Sequence, residues 1–277
     1  MELESEHNLY LSASLEPFLT PQAPPDVRVR VSWAWDDWPR PDVPPCGRDL
    51  LAEYYRSGDR RWMLTSGGPK GYVAAAVYTE EMSEIDLYIN DTPFLLPTET
   101  LDAVLRFIPI RAMLLHRGVL FLHASQVELD GSGVIFTAPS GTGKTTQARL
   151  WQSCRGARIT SNDRTLLWRT EKGWFSSGYP VDGSSPVGCA DRVRPACIVC
   201  LQQAEENSIR RLSATARSLA WLFPQLVIDT WDARSRVLAL ERLLQLFQEL
   251  PVYQLSCTPD ERAVECLERE WNRKGEN

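Results

Sequence analysis

A run of small, hydroxyl-bearing and basic residues near the middle of the chain has the composition of a phosphate-binding loop. The run is Ala138-Pro139-Ser140-Gly141-Thr142-Gly143-Lys144-Thr145-Thr146. Its two glycines let successive backbone N–H groups point to one side, and a following helix adds the positive end of its dipole. In such loops the lysine reaches the outer phosphates and the next hydroxyl ligates magnesium. We therefore expect Ser140 to Thr146 to bind a nucleotide, with Lys144 also acting on the phosphates and Thr145 on the metal.

One position of the loop departs from the consensus pattern. The consensus has a glycine at position 138, separated by four residues from Gly143, and this chain has Ala138. The remaining Ser-Gly-Thr-Gly-Lys-Thr core is intact. The alternative interpretation is a plain connection between two elements, but such connections rarely carry Gly-Lys-Thr.

Two residues outside the loop could act on a bound phosphate. Asp163 follows Lys144 by nineteen residues, and His123 precedes the loop in Leu122-His123-Ala124-Ser125. A carboxylate can take the proton of an attacking hydroxyl, hold magnesium, or do both through water. The simpler alternatives are a turn residue for Asp163 and a packed strand histidine for His123.

The elements around the loop indicate how these residues are positioned. The apolar segment 119–129 runs into Asp130-Gly131, a strong hairpin signal, and the chain returns as Val134-Ile135-Phe136 directly into the loop. A hairpin feeding a phosphate loop is unusual for doubly wound nucleotide-binding domains, whose loop-bearing strand has parallel neighbours reached through helices.

A histidine before a hairpin, a Ser-Gly-Thr-Gly-Lys-Thr loop and a later acidic residue together resemble the HPr kinase/phosphorylase and ATP-dependent PEP carboxykinase superfamily, over roughly residues 118–205. The resemblance implies an α/β fold with a P-loop core of mixed sheet flanked by helices, and ATP and Mg²⁺ as cofactors. It places His123 near the transferring phosphate. The family usually has two consecutive aspartates where this chain has Asn162-Asp163, so Asp163 alone is left as catalytic acid or base and as metal ligand.

The resemblance also implies a basic residue that steadies the phosphoryl oxygens. Arg192 and Arg194 are the equivalents by position, with solvated surface arginines as the alternative. Asp182, in the loop 178–185, is a candidate second acid.

The function implied is that of an ATP-dependent kinase that passes the γ-phosphate to a hydroxyl. The acceptor would be a serine or threonine of a peptide or protein, and a small-molecule hydroxyl is left open. The alternative is a nucleotide-binding regulatory or scaffold protein that has lost catalysis, because Ala138 and Asn162 depart from the family pattern.

Composition narrows the class of protein. The chain has 277 residues, 43% of them hydrophobic, and a net charge of −6, which gives no bulk attraction to nucleic acid or to an anionic membrane. Its acidic N-terminus leads into no apolar signal core, so we expect a cytoplasmic location and no membrane partner. Seven cysteines are an odd number typical of reduced thiols, and Cys197 and Cys200 would point to opposite faces of one strand. The sequence leaves a homo-oligomer open.

The remaining pattern predicts two domains. Residues 1–97 form a β-rich N-terminal region with an antiparallel sheet, whose first 60 residues are interrupted by prolines and carry tryptophans that we interpret as lids over the sheet. Residues 98–277 form the kinase-like domain. It ends in three helices, predicted over 214–223, 234–250 and 258–271.

Overall fold

The computed structural model describes residues 1–5, 8–19, 24–33, 40–67, 71–90, 100–181 and 189–272. The chain divides into two compact units, of which the first comprises Met1–Met113 with Asp229–Ala233 and the second comprises Leu114–Ile228 with Arg234–Asn277. The predicted boundary between residues 97 and 98 falls outside the described residues, so the division into 1–97 and 98–277 stays a prediction.

The first unit is built on a seven-stranded sheet with the order β1-β2-β7-β6-β5-β4-β3. Its strands are β1 (Glu2–Ser5), β2 (Arg28–Ser32), β3 (Gly47–Arg48), β4 (Ala52–Ser57), β5 (Arg60–Ser66), β6 (Tyr72–Thr79) and β7 (Glu84–Ile89). In β2, Val29 and Val31 are buried and alternate with exposed arginines, which is the period-two pattern of a half-buried strand.

This sheet is mixed, which corrects the prediction of an antiparallel one. Strands β3 to β7 form an antiparallel meander, but β2 is parallel to β7 and β1 is parallel to β2. Strand β3 lies at the edge of the sheet opposite β1, whereas β2 lies beside β7 and runs in the same direction.

Two short helices close the first unit and lead out of it. They are α1 (Leu101–Phe107) and α2 (Ile110–His116), and they are separated at Pro109, a residue that interrupts helices.

The second unit is an eight-stranded mixed sheet flanked by helices. The strands are β8 (Val119–Leu129), β9 (Ser132–Thr137), β10 (Arg158–Ser161), β11 (Arg164–Thr170), β12 (Gly173–Gly178), β13 (Arg194–Gln203), β14 (Ser208–Leu212) and β15 (Val252–Cys257). The helices are α3 (Lys144–Arg155), α4 (Ala216–Leu222), α5 (Ala233–Glu249) and α6 (Glu261–Asn272). The order is β12-β11-β8-β9-β13-β15-β14, and β10 pairs with β8. Strand β13 is parallel to both β9 and β15.

A two-residue hairpin joins β8 to β9, as predicted. Leu129 faces Ser132 across the turn, and Asp130 and Gly131 have φ angles of 51° and 78°. Both angles lie in the left-handed region, which the Asp-Gly pair accepts readily.

The sheet of the second unit is buried on both faces. Along β9, Val134 and Phe136 lie in one core cluster and Ile135 in the other. Cys197 and Cys200 of β13 also fall in opposite clusters, which confirms the alternation expected of them. Burial raises the pKa of the Cys200 thiol to about 12, and all seven cysteines are free. Among the described residues, no helix is long and apolar enough to cross a membrane.

Candidate active site

The loop between β9 and α3 has the backbone of an anion cradle. Gly141 and Gly143 adopt φ angles of 78° and 115°, a region that side-chain-bearing residues rarely enter. Gly143 is the N-cap of α3, and its carbonyl accepts the N–H of Gln147 at 2.9 Å. Because Gly143 has no side chain to cap the helix, the first N–H groups of α3 are open to an external acceptor.

Alanine at position 138 does not distort this loop. The described non-glycine residues with positive φ are Met82 and Asp130, so Ala138 keeps a backbone conformation that alanine tolerates. Its methyl group is buried in a core cluster, and its carbonyl accepts a hydrogen bond from Lys144 Nζ at 2.8 Å. The departure from the consensus is therefore accommodated by packing.

Lys144 lies inside the loop that precedes it. The residue is only 7% exposed, and Nζ also lies 3.3 Å from the carbonyl oxygen of Pro139. Burial lowers the pKa of Lys144 below its usual value, Asp163 opposes this shift, and Arg164 adds to it. Any anion that enters the loop stabilises the charged form of this poorly solvated amine.

Pairing of β8 with β11 brings His123, Asp163 and Arg164 together. Arg164 faces His123 in the strand register, and the Asp163 carbonyl accepts the N–H of Ala124 at 3.1 Å. His123 Nδ1 lies 3.1 Å from Asp163 Oδ1, and Arg164 Nε lies 3.9 Å from Asp163 Oδ2. The Thr137 hydroxyl donates to the His123 carbonyl at 2.9 Å, which ties this group to the start of the loop.

The pKa of His123 is lowered from its usual value, which favours the neutral imidazole. Burial lowers its pKa, the charge of Lys144 lowers it further, and Asp163 and Arg164 act in opposite directions. Nδ1 lies near two acceptors of Asp163, the carboxylate at 3.1 Å and the backbone carbonyl at 3.2 Å, and 3.3 Å from Arg164 Nη1. We assign the proton to Nδ1 because of the two acceptors, which leaves Nε2 as an acceptor.

Three side chains at and near the loop carry oxygen atoms of the kind that bind magnesium. Thr145 stands at the start of α3, Asp163 carries a carboxylate, and the side-chain oxygen of Asn162 is buried without a hydrogen-bond partner among the described residues. The Ser125 hydroxyl donates a hydrogen bond of 2.8 Å to the backbone carbonyl of Asn162. Magnesium takes oxygen ligands, commonly one or two carboxylates completed by phosphates and water. No group of three or more His, Cys, Asp or Glu side chains in the described part of the chain could hold a metal by itself.

Comparison with known proteins identifies the family. The model of the family described as "SynChlorMet cassette protein ScmC" matches residues 98–271, more than half of the chain. The chain belongs to the ScmC family. No curated protein matches it significantly. Among solved structures it is distantly similar to the HPr(Ser) kinase/phosphatase from Coxiella burnetii, with 15% identity and a TM-score of 0.34, over 57% of this chain and 99% of that one.

Two of the predicted site residues of this ScmC family member lie away from the loop. Arg194 begins β13 and pairs with Ser132, whereas the loop follows the other end of β9. Its guanidinium stacks 4.9 Å from the centroid of the Phe175 ring, and Nη1 donates to the Lys172 carbonyl. Arg192 is exposed two residues earlier. The structure therefore does not bring these arginines to the phosphates, because β13 runs parallel to β9.

The cation that lies beside Asp163 is Arg164, which was not predicted from the sequence. It could have been found from its position, because it directly follows Asp163 at the start of β11. Of the other predicted residues, Ser140 and Thr146 are exposed on the loop and on the first turn of α3. Asp182 lies outside the described residues.

Proposed function

We propose that this ScmC family member is an ATP-dependent kinase that transfers the γ-phosphate of Mg²⁺-ATP to the hydroxyl of a serine or threonine in a peptide or protein. The observation that carries the proposal is the meeting of Lys144, inside a phosphate-type loop, with the His123–Asp163–Arg164 group. Binding of Mg²⁺-nucleotide alone would use a carboxylate here only as a metal ligand, whereas phosphoryl transfer also uses one to orient the attacking hydroxyl.

In this proposal the loop holds the phosphates and Lys144 neutralises them. The open N–H groups at the start of α3 and the glycine-rich backbone bind phosphate oxygens. The Lys144 amine, now bonded to the carbonyls of Ala138 and Pro139, turns to the outer phosphates. Bound Mg²⁺ supplies further neutralisation of charge, and its protein ligands are Thr145, Asp163 and the oxygen of Asn162.

Asp163 is the group that accepts the proton of the acceptor hydroxyl. His123 Nδ1–H holds one carboxylate oxygen at 3.1 Å and so orients the other. Arg164 stands beside that second oxygen and adds positive charge close to the phosphate that moves. Each function requires only positioning and charge, which this arrangement supplies.

The acceptor is proposed from the family description. A cassette protein is encoded with partners, so peptides and small proteins encoded beside its gene are the first acceptors to test. The cytoplasmic location, the absence of nucleic-acid and membrane partners, and an open homo-oligomeric state remain predictions from the sequence.

The test is transfer of label from γ-labelled ATP, with magnesium, to these neighbouring gene products. We expect a labelled serine or threonine, and no label with Lys144→Ala or Asp163→Asn. Lys172→Ala, at an exposed lysine of the β11–β12 turn, and Asp130→Asn, at the exposed hairpin turn, are matched controls that should keep full activity. Asn tolerates the left-handed φ of residue 130.

The second candidate function is a nucleotide-dependent regulator, favoured by Asn162 in the position where the family pattern has its first aspartate. It predicts tight nucleotide binding with no transfer of phosphate to any acceptor or to water. That result would replace the kinase proposal.

A further inference from the structure

A cavity of about 580 Å³ opens beside the phosphate loop, and Asp163 is not part of its lining. Its walls come from the outer part of the loop, the end of β13, and the segment formed by α4 and the turn after it. Trp221, Pro224 and Gln225 supply the last of these walls. The His123–Asp163–Arg164 group contributes nothing to the lining.

The order of strands relates this cavity to the site of transfer. β8 and β11, which carry His123 and Arg164, lie on one side of β9, and β13 lies on the other. The loop follows β9, between the two. If the terminal phosphate faces Asp163, the nucleoside end of the same molecule extends toward β13, where the cavity lies.

The lining suits a flat aromatic heterocycle. Leu201, Ala220 and Pro224 form apolar wall, and Trp221 is 37% exposed, so its indole is accessible. Aromatic side chains stack on nucleobases of any sequence. The cavity also borders Ser140 and Gly141 of the loop itself, so one ligand can occupy the loop and the cavity together.

An unpaired amide lies in the same wall. Gln225 is only 9% exposed, lines the cavity, and its side chain makes no hydrogen bond within the described ranges. Its amide therefore has donors and an acceptor available to a ligand that enters the cavity. Because a glutamine amide both donates and accepts, it can pair with the edge of a nucleobase, as glutamine does with adenine. Gln203 Nε2 donates to the Gly141 carbonyl at 3.3 Å and ties this wall to the loop.

We propose that this cavity binds the base of the nucleoside triphosphate, with Trp221 stacking on the ring and Gln225 pairing with its edge. The proposal rests on the proposed function, because it takes the loop to bind the triphosphate with its outer end toward Asp163. It adds a discrimination that the loop alone cannot make, between a nucleotide and a bare polyphosphate.

The competing occupant is the acceptor. Trp221 also borders a smaller cavity of about 160 Å³ that Arg210, Arg211 and Arg217 line. A peptide bound there would reach the same indole. If the nucleobase occupies the cavity, the affinity for ATP depends on Trp221. If the acceptor peptide occupies it, the affinity for the peptide does.

The experiment compares the dissociation constants of ATP and of inorganic tripolyphosphate, both with magnesium. The variants are Trp221→Ala, Trp221→Phe, Gln225→Leu and Lys144→Ala, with Trp168→Ala as a control at a half-buried tryptophan that stacks on Phe175. We expect the unchanged protein to bind ATP more tightly than tripolyphosphate. Trp221→Ala should weaken ATP about tenfold or more and leave tripolyphosphate unchanged. Trp221→Phe should restore most of the loss, and Gln225→Leu should weaken ATP several-fold.

Each other outcome has a distinct meaning. If Lys144→Ala loses both ligands while Trp221→Ala binds ATP normally, the base lies elsewhere and the kinase proposal stands. Equal weakening of both ligands by Trp221→Ala also overturns base stacking, as does an effect confined to the KM of the acceptor peptide. If the unchanged protein binds neither ligand, the proposed function itself fails, and the nucleobase proposal with it.

Discussion

Asp163 is flanked by two side chains that act on different oxygens of its carboxylate. His123 Nδ1 lies 3.1 Å from Oδ1, and Arg164 Nε lies 3.9 Å from Oδ2. All three residues are half-buried, in a setting where charges interact more strongly than in water. The carboxylate is therefore held in one orientation with a cation beside its outer oxygen. A proton acceptor next to a transferring phosphate needs this arrangement.

Replacing Arg164 by methionine tests the role of that cation. We expect kcat to fall about ten- to a hundredfold, because about 1.4 to 2.8 kcal/mol of transition-state stabilisation is lost. The KM for ATP should change little, since Lys144 and the loop remain. Arg194→Met is the matched control and should be close to unchanged, because Arg194 stacks on Phe175 at the other end of β13. A larger effect at Arg194 than at Arg164 would reverse the assignment.

Asn162→Asp tests whether position 162 faces the metal. The Asn162 side-chain oxygen is buried and without a partner among the described residues, so a carboxylate there should bind Mg²⁺ more tightly and lower the magnesium concentration for half-maximal activity several-fold. Without nucleotide and metal the variant should unfold more easily, because it buries a second charge. Ser125→Ala removes only the hydroxyl that fixes the Asn162 carbonyl. An unchanged magnesium dependence in Asn162→Asp would place this oxygen outside the metal site.

The packing of helix α3 fixes the position of the phosphate loop. Trp151 is fully buried, with its ring 6.3 Å from Phe136 of β9 and 6.0 Å from Trp271 of α6. Arg155 at the end of α3 makes a bidentate ion pair with Glu268. Gly156 then ends the helix in the left-handed conformation with a φ of 70°. One end of the helix is thus anchored in the core, and the other is free to meet a ligand.

Trp151→Ala should reduce the free energy of unfolding of the second unit by about 3–5 kcal/mol, the usual cost of emptying a large buried aromatic site. ATP affinity should fall as well, because the helix that carries Lys144 loses its main contact with the sheet. Denaturant unfolding, monitored by circular dichroism instead of tryptophan fluorescence, measures the loss of stability. Nucleotide titration measures the loss of ATP affinity. Trp168→Ala, on the edge hairpin, should cost much less. Stability loss without any loss of ATP affinity would show that the loop is positioned independently of α3 packing.

At the scale of the whole molecule, a short late segment of the chain belongs to the first unit. Asp229–Ala233 precedes and begins α5, yet it packs within the unit formed by Met1–Met113. Trp231 stacks on Tyr54 at 4.6 Å between ring centroids, and a Cβ added to Gly47 would lie 2.1 Å from its ring. The two units are therefore not consecutive in sequence.

Arg111 joins this segment to the sheet of the first unit through ion pairs with the buried Asp229 and the partly buried Asp49. Its Nε lies 2.9 Å from Asp229 Oδ1, and its other end pairs with Asp49. Burial raises the pKa of Asp229, with Arg111 opposing the shift. For Asp49 burial also raises the pKa, but hydrogen bonds from Arg111 and from the N–H of Leu51 outweigh it, and the pKa is lowered.

Arg111→Met should lower the free energy of unfolding of the first unit by about 3 kcal/mol at neutral pH, because the buried Asp229 and the partly buried Asp49 lose their cation. The pKa of Asp229 then rises further above its usual value in the folded state. An acid with a raised folded pKa favours the folded state at low pH and disfavours it as the pH rises through that pKa. The deficit should therefore shrink as the pH falls below neutral. Arg56→Met, on an exposed side chain of the same sheet, is the control. A deficit that grows on acidification would contradict this account of the cluster.

The conformational preferences of single residues predicted much of this structure, but they did not predict which distant segments pair. The Asp130-Gly131 turn, the glycine loop and the break at Pro109 are set by the conformations that single residues prefer, so each was readable in the sequence. The parallel pairing of β2 with β7 and the return of Asp229–Ala233 to the first unit depend on contacts between distant segments. No periodicity records such contacts.

The candidate site shows the same division. Lys144, His123 and Asp163 were predicted from motif and spacing, and the structure brings them together. The supporting cation was sought in Arg192 and Arg194, by analogy of position. The direction of β13 places Arg194 at the end of the sheet opposite the loop. Arg164, at the start of β11, lies beside His123 instead.

The measurement that tests the kinase proposal most directly is mass spectrometry of the peptides encoded beside the gene, after incubation with the protein, ATP and magnesium. The proposal predicts one added phosphoryl group on a serine or threonine, formed by the unchanged protein and by Lys172→Ala but not by Lys144→Ala or Asp163→Asn. Peptides that stay unmodified while the protein binds ATP tightly would contradict it and leave a nucleotide-dependent regulator in its place.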